Sequence, residues 1–574
     1  MAKIHSLKIL NFRGIKSFEQ IFEDHDFVCF VGRGDTGKTT ILDAISYVLS
    51  PNWNLTFYDT DFNNCDIDRP IEIEVSMSDI PTKLLQLDKF GYYIRFLNLA
   101  TNLIQDDYID DATSILTIHL KVERDLEPVW YVSNCKGETK EIKSNDRSKL
   151  NVFLVSDFIN QHFSWNKGTP LYSLLKQTEG TTENTSIVID ALRNAKVKVD
   201  DADFTHLDPV IDIIKGNAAN LGIDITNTLT SIDLKDLSIK DGRICLHDEN
   251  IPFRLKGKGS KRLISIGIQI ALAKLGGIIL IDELEQGLEP DRVKHLVRTL
   301  YSNNKKDNTQ IFITTHSQNV VEELECDNLF FLNNNSGVLK GNFIPDEDKY
   351  QSLIRFCPSA IYAKKVIVCE GKTEIGICRA LNQYRIKHKL TSFAINDVVY
   401  VDGSGFTFTD RALKLKKLGL EVCVICDSDR DAQLKPSKEE LRANGINIID
   451  WETGKSIERQ LVDDLPWNGI INLFDYRVKD KKGNKNSVTD SINEFLTIPL
   501  TVNWMETPLP EIRDSIYQAC TKKVTKPDKP VEDKSWFKRI DHGEELGNII
   551  FNHFDEMKDK RLQLKLQELS TWIG

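Results

Sequence analysis

Between residues 27 and 49 the chain can fold in few ways. The apolar run Phe27 to Val31 reads as a buried strand. It runs into Gly32-Arg33-Gly34-Asp35-Thr36-Gly37-Lys38-Thr39, which fits G-x-x-x-x-G-K-[ST] at every required position. A helical pattern, Thr40–Leu49, follows. Gly32, Gly34 and Gly37 let the backbone N–H groups of the turn, Asp35 included, curl around phosphates. Lys38 supplies a point charge and the Thr39 hydroxyl can ligate Mg²⁺. The helix opening at Thr40 aims its N-terminus at the anion. A strand before and a helix after leave little room for a chance glycine turn.

The flanking pattern extends this site. Ile4 to Leu10 alternates like a strand and stops at the turn Asn11-Phe12-Arg13-Gly14. Ile71 to Val75, Leu116 to Val122 and the residues around Trp130 alternate as well, which predicts antiparallel strands. From about Val155 to Lys235 helical patterns (Ser186–Ala195, Thr205–Leu221) sit between polar stretches, without the long heptads of a coiled-coil arm. This is a helical insertion, either a dimerising element or a plain subdomain. Lys256-Gly257-Lys258-Gly259-Ser260-Lys261-Arg262 then opens a helix through Lys274, a second place where amides and cations meet an anion. Gly277 to Glu283 is a buried-strand run ending in two carboxylates. Asp282 fits the Mg²⁺-holding role and Glu283 the base that activates water. Gln310 to Thr315 is a further strand, and His316 at its end is placed to sense a γ-phosphate.

After a polar joint near Gly341 to Tyr350 the pattern restarts. Val366–Cys369, Val398–Val401 and Val422–Cys426 are apolar runs with helical patterns between them, which predicts a parallel sheet. Strand C-terminal ends share one edge in such a sheet. Glu370, Asp402 and the Asp427/Asp429 pair therefore gather there. Carboxylates at bonding distance can hold one or two Mg²⁺ or Mn²⁺ ions for phosphodiester chemistry. The Cys423-x-x-Cys426 spacing does not make a zinc site: it lies in a strand, where residues three apart face opposite sides. Two segments carry cations suited to nucleic acid, Arg477 to Lys485 and Lys522 to Arg539, the latter with Trp536 and Phe537 as stacking candidates. Phe551–Trp572 reads as an amphipathic helix.

Composition sets the outer limits. A chain of 574 residues predicts three or four domains. Its formal charge, −11, argues against a general nucleic-acid coat, so any such contact is local. No apolar run reaches the ~18 residues of a membrane span, and the N-terminus lacks a signal-peptide core. The 11 scattered cysteines read as reduced core thiols, so a cytoplasmic protein is expected.

On these motifs, residues 1 to about 345 resemble an ABC-type ATPase head of the SMC and RecF families. The resemblance implies ATP sandwiched between two heads. Lys38, Thr39 and Asp282 hold nucleotide and Mg²⁺, Ser260 within Gly257–Lys261 caps the partner's nucleotide, Glu283 is the base and His316 the sensor. The chain departs from that pattern in lacking Leu-Ser-Gly-Gly and a clear Q-loop glutamine; Asp61-Phe62 falls in that region. Glu370-Gly371 followed by Asp427-x-Asp429 resembles the TOPRIM domain of topoisomerases and primases. An ATPase head followed by TOPRIM is similar to the OLD (overcoming lysogenisation defect) nucleases, which include the Gabija nuclease and retron-associated effectors.

That resemblance implies an α/β chain: ATPase lobes at 1–154 and 236–345, the insertion at 155–235 and a TOPRIM nuclease domain at 346–574. It implies an ATP-regulated endonuclease cutting DNA in anti-phage defence with two metal ions. Their ligands are Glu370, Glu374, Asp427, Asp429 and Glu458, and Lys538, or else Lys534, steadies the phosphate. Expected partners are DNA, further copies of the chain as a dimer or tetramer, and a companion helicase or retron reverse transcriptase. The alternatives are an RNA or tRNA substrate, and a non-cutting ATP-gated sensor or scaffold.

Overall fold

The computed structural model describes residues 2–574 apart from 23–24, 99–100, 102, 107–111, 151, 157–158, 164–168, 172, 175–193, 195–196, 199–200, 202–245, 249, 275–277, 308, 507, 525–531 and 534. Most of the expected helical insertion lies outside the described residues, including nearly all of Ser186–Ala195 and the whole of Thr205–Leu221; so does Lys534. The chain divides into two compact units. One comprises Met1–Val28, Gly37–Thr315 and Ser336–Leu339; the other comprises Cys29–Thr36, His316–Asn335 and Lys340–Gly574. Among the described residues no helix is long and apolar enough to cross a membrane.

In the first unit the alternating segments form an antiparallel sheet. Strand β1 (Lys3–Phe12) pairs with β2 (Ile15–Ile21) across the Arg13-Gly14 turn. The wholly buried β3 (Phe27–Val31) leads through the glycine loop into α1 (Lys38–Val48). On the other side of β1 lies β4 (Ile71–Ser78), with Leu7 facing Val75 and Ile9 facing Ile73. Beyond β4 lies β5 (Thr113–Val122), where Ile118 faces Val75. These cross-strand apolar pairs fix the register, because a slip of one residue would turn the apolar face outward. Three short strands are parallel instead: β6 (Phe153–Val155), β7 (Ile279–Ile281) and β8 (Ile311–Thr314), with Leu280 between Leu154 and Phe312. The last two are buried at every position, as strands covered on both faces must be. Helix α2 (Lys258–Ala273) precedes β7 and α3 (Pro290–Asp307) follows it.

The second unit contains the glycine loop's first residues beside β9 (Leu329–Asn335), which runs parallel to β3 with Leu329 opposite Cys29. The expected linker at 341–350 is not one. It holds the end of β10 (Val338–Phe343) and the start of α4 (Asp348–Phe356), whose Tyr350 is buried. The parallel sheet forms as predicted, with one more strand. Its members are β11 (Lys365–Cys369), β12 (Val398–Asp402), β13 (Glu421–Cys426) and β14 (Asn447–Asp450), in the order β12-β11-β13-β14. Cys369 lies opposite Asp402 and Ile425, and Cys426 opposite Asp450. Residues 370, 402, 427 and 450 thus emerge at one edge.

Helix α5 (Lys372–Lys387) follows β11 and lies against α6 (Ile540–Asn552). The approach needs glycine: a Cβ at Gly376 would stand 2.4 Å from the Glu544 nitrogen, and one at Gly543 would stand 2.5 Å from the Thr373 oxygen. The tail expected to form one amphipathic helix forms two, α6 and α7 (Arg561–Ile573), parted by a short turn at Phe554–Met557. Trp536 and Phe537 are 2% and 1% exposed, so they are core residues and not base-stacking platforms. Arg477 is also buried, paired with Asp480 at 2.6 Å and over the Trp536 ring. Charge around these aromatics marks the rim of a core, which local composition cannot distinguish from a binding face.

Candidate functional site

The glycine loop has the conformation its sequence requires. Gly32, Asp35 and Gly37 have φ of 136°, 60° and 87°. A Cβ at Gly32 would lie 2.6 Å from the Leu332 carbonyl oxygen, so only glycine fits there. Gly34 is exposed, Lys38 is buried at the start of α1, and Thr39 and Thr40 follow in its first turn. Asp282, one residue beyond β7, accepts two hydroxyl hydrogen bonds on Oδ1, from Thr39 at 2.9 Å and from Thr314 at 2.6 Å. The Glu283 amide donates to Thr314 Oγ1 at 2.7 Å, and Glu283 has φ of 46°. The hydroxyl after the loop lysine and the strand-end carboxylate therefore meet, which is the arrangement that can share one Mg²⁺ beside a nucleotide.

Ser260 is exposed in the first turn of α2. His316 is exposed past β8, its ring 6.1 Å from Tyr362. Asp61, in the Q-loop region, is engaged by Arg13 at 2.8 Å, and Arg13 also pairs with Asp43 at 2.5 Å. Arg262, expected among the cations of the glycine-serine segment, instead turns inward as a support of the carboxylate turn. It is 2% exposed and donates to the Glu283 carbonyl and Gln286 Oε1, each at 2.8 Å. Its place next to the glycine-serine segment is its one sequence signal.

At the edge of the parallel sheet, Glu370, Glu374, Asp402, Asp427, Glu458 and Lys538 line one cleft of about 470 Å³. Glu370 and Asp427 come directly after β11 and β13. Glu374 is in the first turn of α5, and Glu458 is in the first turn of helix α8, Ile457–Asp464, capped by Ser456. Backbone amides orient the carboxylates. Asp427 N donates to Glu370 Oε2 at 2.8 Å, Gly371 N to Glu374 Oε2 at 2.9 Å, and Ile457 N to Asp427 Oδ1 at 2.8 Å. Glu374 and Glu458 are each 4% exposed.

So many buried negative charges resist ionisation. Burial first, then the charges of Glu458 and Glu370, push the Glu374 carboxyl up to about 7. Burial and the charges of Glu374, Glu458 and Glu370 raise Asp427 well above the usual carboxylate range. Burial raises Glu370, as does the charge of Asp429; the Asp427 amide, Lys438 and Lys538 oppose this. Asp429 itself is exposed, 3.6 Å from Arg430, and does not line the cleft. Lys538, with its side chain 56% exposed, reaches within 3.9 Å of Glu458. Among the described residues no three His, Cys, Asp or Glu side chains form a closed metal cage as they stand. The donor set nevertheless fits a hard divalent cation: oxygen ligands only, with more negative charge than Lys372 and Lys538 can balance.

A phosphate loop with its hydroxyl–carboxylate pair, and a parallel sheet with carboxylate-ended strands, define a P-loop ATPase joined to a TOPRIM domain. The chain belongs to the family described as AAA ATPase domain, which matches residues 2–196 and 154–321; residues 361–429 match the overcoming lysogenization defect protein-like TOPRIM domain, so the whole has the architecture of an OLD family nuclease. A curated relative, an ATP/GTP phosphatase of Helicobacter pylori, is 34% identical over 102 residues, 17% of this chain and 25% of that protein. The match thus spans only a quarter of the relative's length. Among solved structures, an SMC head bound to the C-terminal winged-helix domain of ScpA is 14% identical, covers 61% of this chain and 99% of that one, and has a TM-score of 0.35. The SMC head domain of Thermotoga maritima is 16% identical over 60% of this chain and 99% of that one, with a TM-score of 0.27.

Proposed function

We propose that this chain is an ATP-regulated, divalent-metal-dependent endonuclease that cuts DNA, serving anti-phage defence. The observation that carries the reading is the gathering of Glu370, Glu374, Asp427 and Glu458 in one buried cleft with Lys538 at its mouth. These four carboxylates hold Mg²⁺ or Mn²⁺, two ions in the working state, with Asp429 joining from the rim. The bound ions supply charge neutralisation on the phosphate and an acidified water. Lys538 donates to a non-bridging oxygen of the scissile phosphate as negative charge builds there. The amides of Gly371, Asp427 and Ile457 hold the carboxylates in place, so little reorganisation is needed when substrate arrives.

Lys38, Thr39 and Asp282 bind ATP with Mg²⁺ in the ATPase domain. Glu283 serves as its base, His316 senses the γ-phosphate and Ser260 caps the nucleotide of a second copy. The domain limits 1–154, 155–235, 236–345 and 346–574 go with this reading, with the insertion as a dimerisation element. The cutting reading is tested with purified chain, Mg²⁺ or Mn²⁺, and plasmid DNA and tRNA in parallel, each with and without ATP. Metal-dependent nicking of the plasmid is expected. Cutting confined to tRNA would move the substrate to RNA, and no cutting of either would leave a nucleotide-gated binder.

A further inference from the structure

Strands β11, β12 and β13 run to the cleft. Within the second unit, the residues just ahead of each touch the glycine loop, the His316-Ser317 turn or β9. Ahead of β11, the Tyr362 hydroxyl donates to the Ser317 carbonyl at 3.2 Å. Directly ahead of β12, Asp397 pairs with Arg33 of the glycine loop. Ahead of β13, a Cβ at Gly419 would stand 3.1 Å from Asn333 Nδ2 in β9, and the next residue, Asn334, donates to the Asp35 carbonyl of the loop at 3.2 Å. We propose that the Arg33–Asp397 ion pair carries nucleotide occupancy to the cleft. The phosphates of bound ATP draw the Arg33 guanidinium away from Asp397, and this loosens the start of the strand that ends at Glu370.

Asp397 acts as a clamp on two strands. It directly precedes β12, and its backbone carbonyl accepts from the Lys364 and Lys365 amides, at 3.2 and 3.1 Å, so it also closes the start of β11. Its φ is 59°, a left-handed conformation that aspartate and asparagine adopt more readily than most side chains. The five residues of β11 rise about 3.3 Å each, which sets Glu370 about 16 Å from the clamp. The last four of them are buried, and close-packed interiors transmit strain. A shift at the clamp is therefore felt at the carboxylate that follows the strand.

Arg33 stands between two anions. Its main chain belongs to the loop that curls around phosphate, and its carbonyl accepts from Thr36 Oγ1 at 2.8 Å. Its side chain, 47% exposed, reaches Asp397. So exposed an ion pair contributes little to stability, and holding the fold does not account for it. A guanidinium binds phosphate oxygens bidentately, and ATP carries more charge than one carboxylate, so nucleotide competes with Asp397 for Arg33.

This link rests on the ATP-regulated nuclease reading, and its test keeps the two apart. Hydrogen exchange of the full chain is followed by mass spectrometry, with and without ATP and Mg²⁺, in wild type and D397N. Asparagine keeps the size of the side chain and suits the left-handed backbone. In wild type, ATP should slow exchange over residues 32–39 and speed it about twofold or more over 362–370, where the Lys364 and Lys365 amides report on the clamp. D397N without ATP should exchange over 362–370 as wild type does with ATP, gain nothing further there from ATP, and still be protected over 32–39. At saturating ATP, R33Q/D397N should match D397N, because the pair is already broken. D397N without ATP should also cut at the rate that wild type shows with ATP, whichever way ATP acts. Protection over 32–39 with no change over 362–370 in wild type, or an ATP response of equal size in D397N, overturns the link and leaves the nuclease reading standing. The expected exchange in a chain that cuts nothing keeps the link and ends the nuclease reading. ATP that alters neither segment ends both the link and ATP regulation.

Discussion

The two strand-end carboxylate sites of this molecule are built on opposite principles. At the nucleotide site one carboxylate, Asp282, is satisfied by neutral hydroxyls of Thr39 and Thr314. At the TOPRIM cleft Glu370, Glu374, Asp427 and Glu458 crowd together, and backbone amides that cannot cancel the charge orient the first three. In the first site the carboxylate is held by protein donors alone. The second holds buried, mutually repelling charge: burial first, and then the neighbouring carboxylates, push Glu374 up to about 7 and Asp427 beyond the usual range. On the proposed reading, nucleotide would add to a site that is already satisfied, whereas a divalent cation would relieve one that is not.

Four experiments break or sharpen that contrast. The largest expected effect is at the mouth of the crowded site. K538A should lower the cutting rate about 10²- to 10³-fold at saturating metal, the cost of losing one donor to developing charge, with the metal half-saturation point unmoved. Next, K38A should weaken ATP binding about 10- to 100-fold, the worth of a hydrogen bond to a charged group, while calorimetric Mn²⁺ binding at the cleft stays as in wild type. A fall in Mn²⁺ binding would make the two sites one system.

The third effect follows from protons. A metal must displace the proton that Glu374 keeps below about pH 7. The metal concentration for half-maximal cutting should therefore rise about tenfold for each pH unit below 7 and level off above it. A flat profile from pH 5.5 to 8 would remove Glu374 from the ligand set. The smallest effect is on stability. Because the folded-state value lies above the ordinary 4.5, the native state holds more protons than the unfolded chain between those limits, and stability falls as pH rises through about 7. Metal-free E374Q should then melt a few degrees above wild type at pH 8 and together with it at pH 4.

Much of this was legible in the residues. Apolar runs ending in Glu370, Asp402 and Asp427 announce a parallel sheet, and such a sheet must bring those ends to one edge; the register confirms it. The glycine loop is legible for the same reason, since its backbone leaves little choice of residue. What did not show was tertiary convergence. Asp450 carries no motif, and its cations come from two helices far apart in sequence, residues 438 and 442 on one and 561 and 565 on the other. Trp536 and Phe537 sit between lysines in sequence yet inside a core in space: Lys538 and Arg539 are exposed while the two rings pack inward. Asp429 has the right spacing, yet it is exposed beside Arg430 and does not line the cleft.

The claim that the crowded carboxylates are the cutting centre is tested most directly by one assay. Plasmid DNA is incubated with wild type, E370A and D427A across a Mg²⁺ and Mn²⁺ titration, with ATP binding followed on the same preparations. The account predicts that both variants lose cutting by a factor on the order of 10³ or more at every metal concentration and bind ATP as wild type does. Cutting that survives in both variants would contradict it.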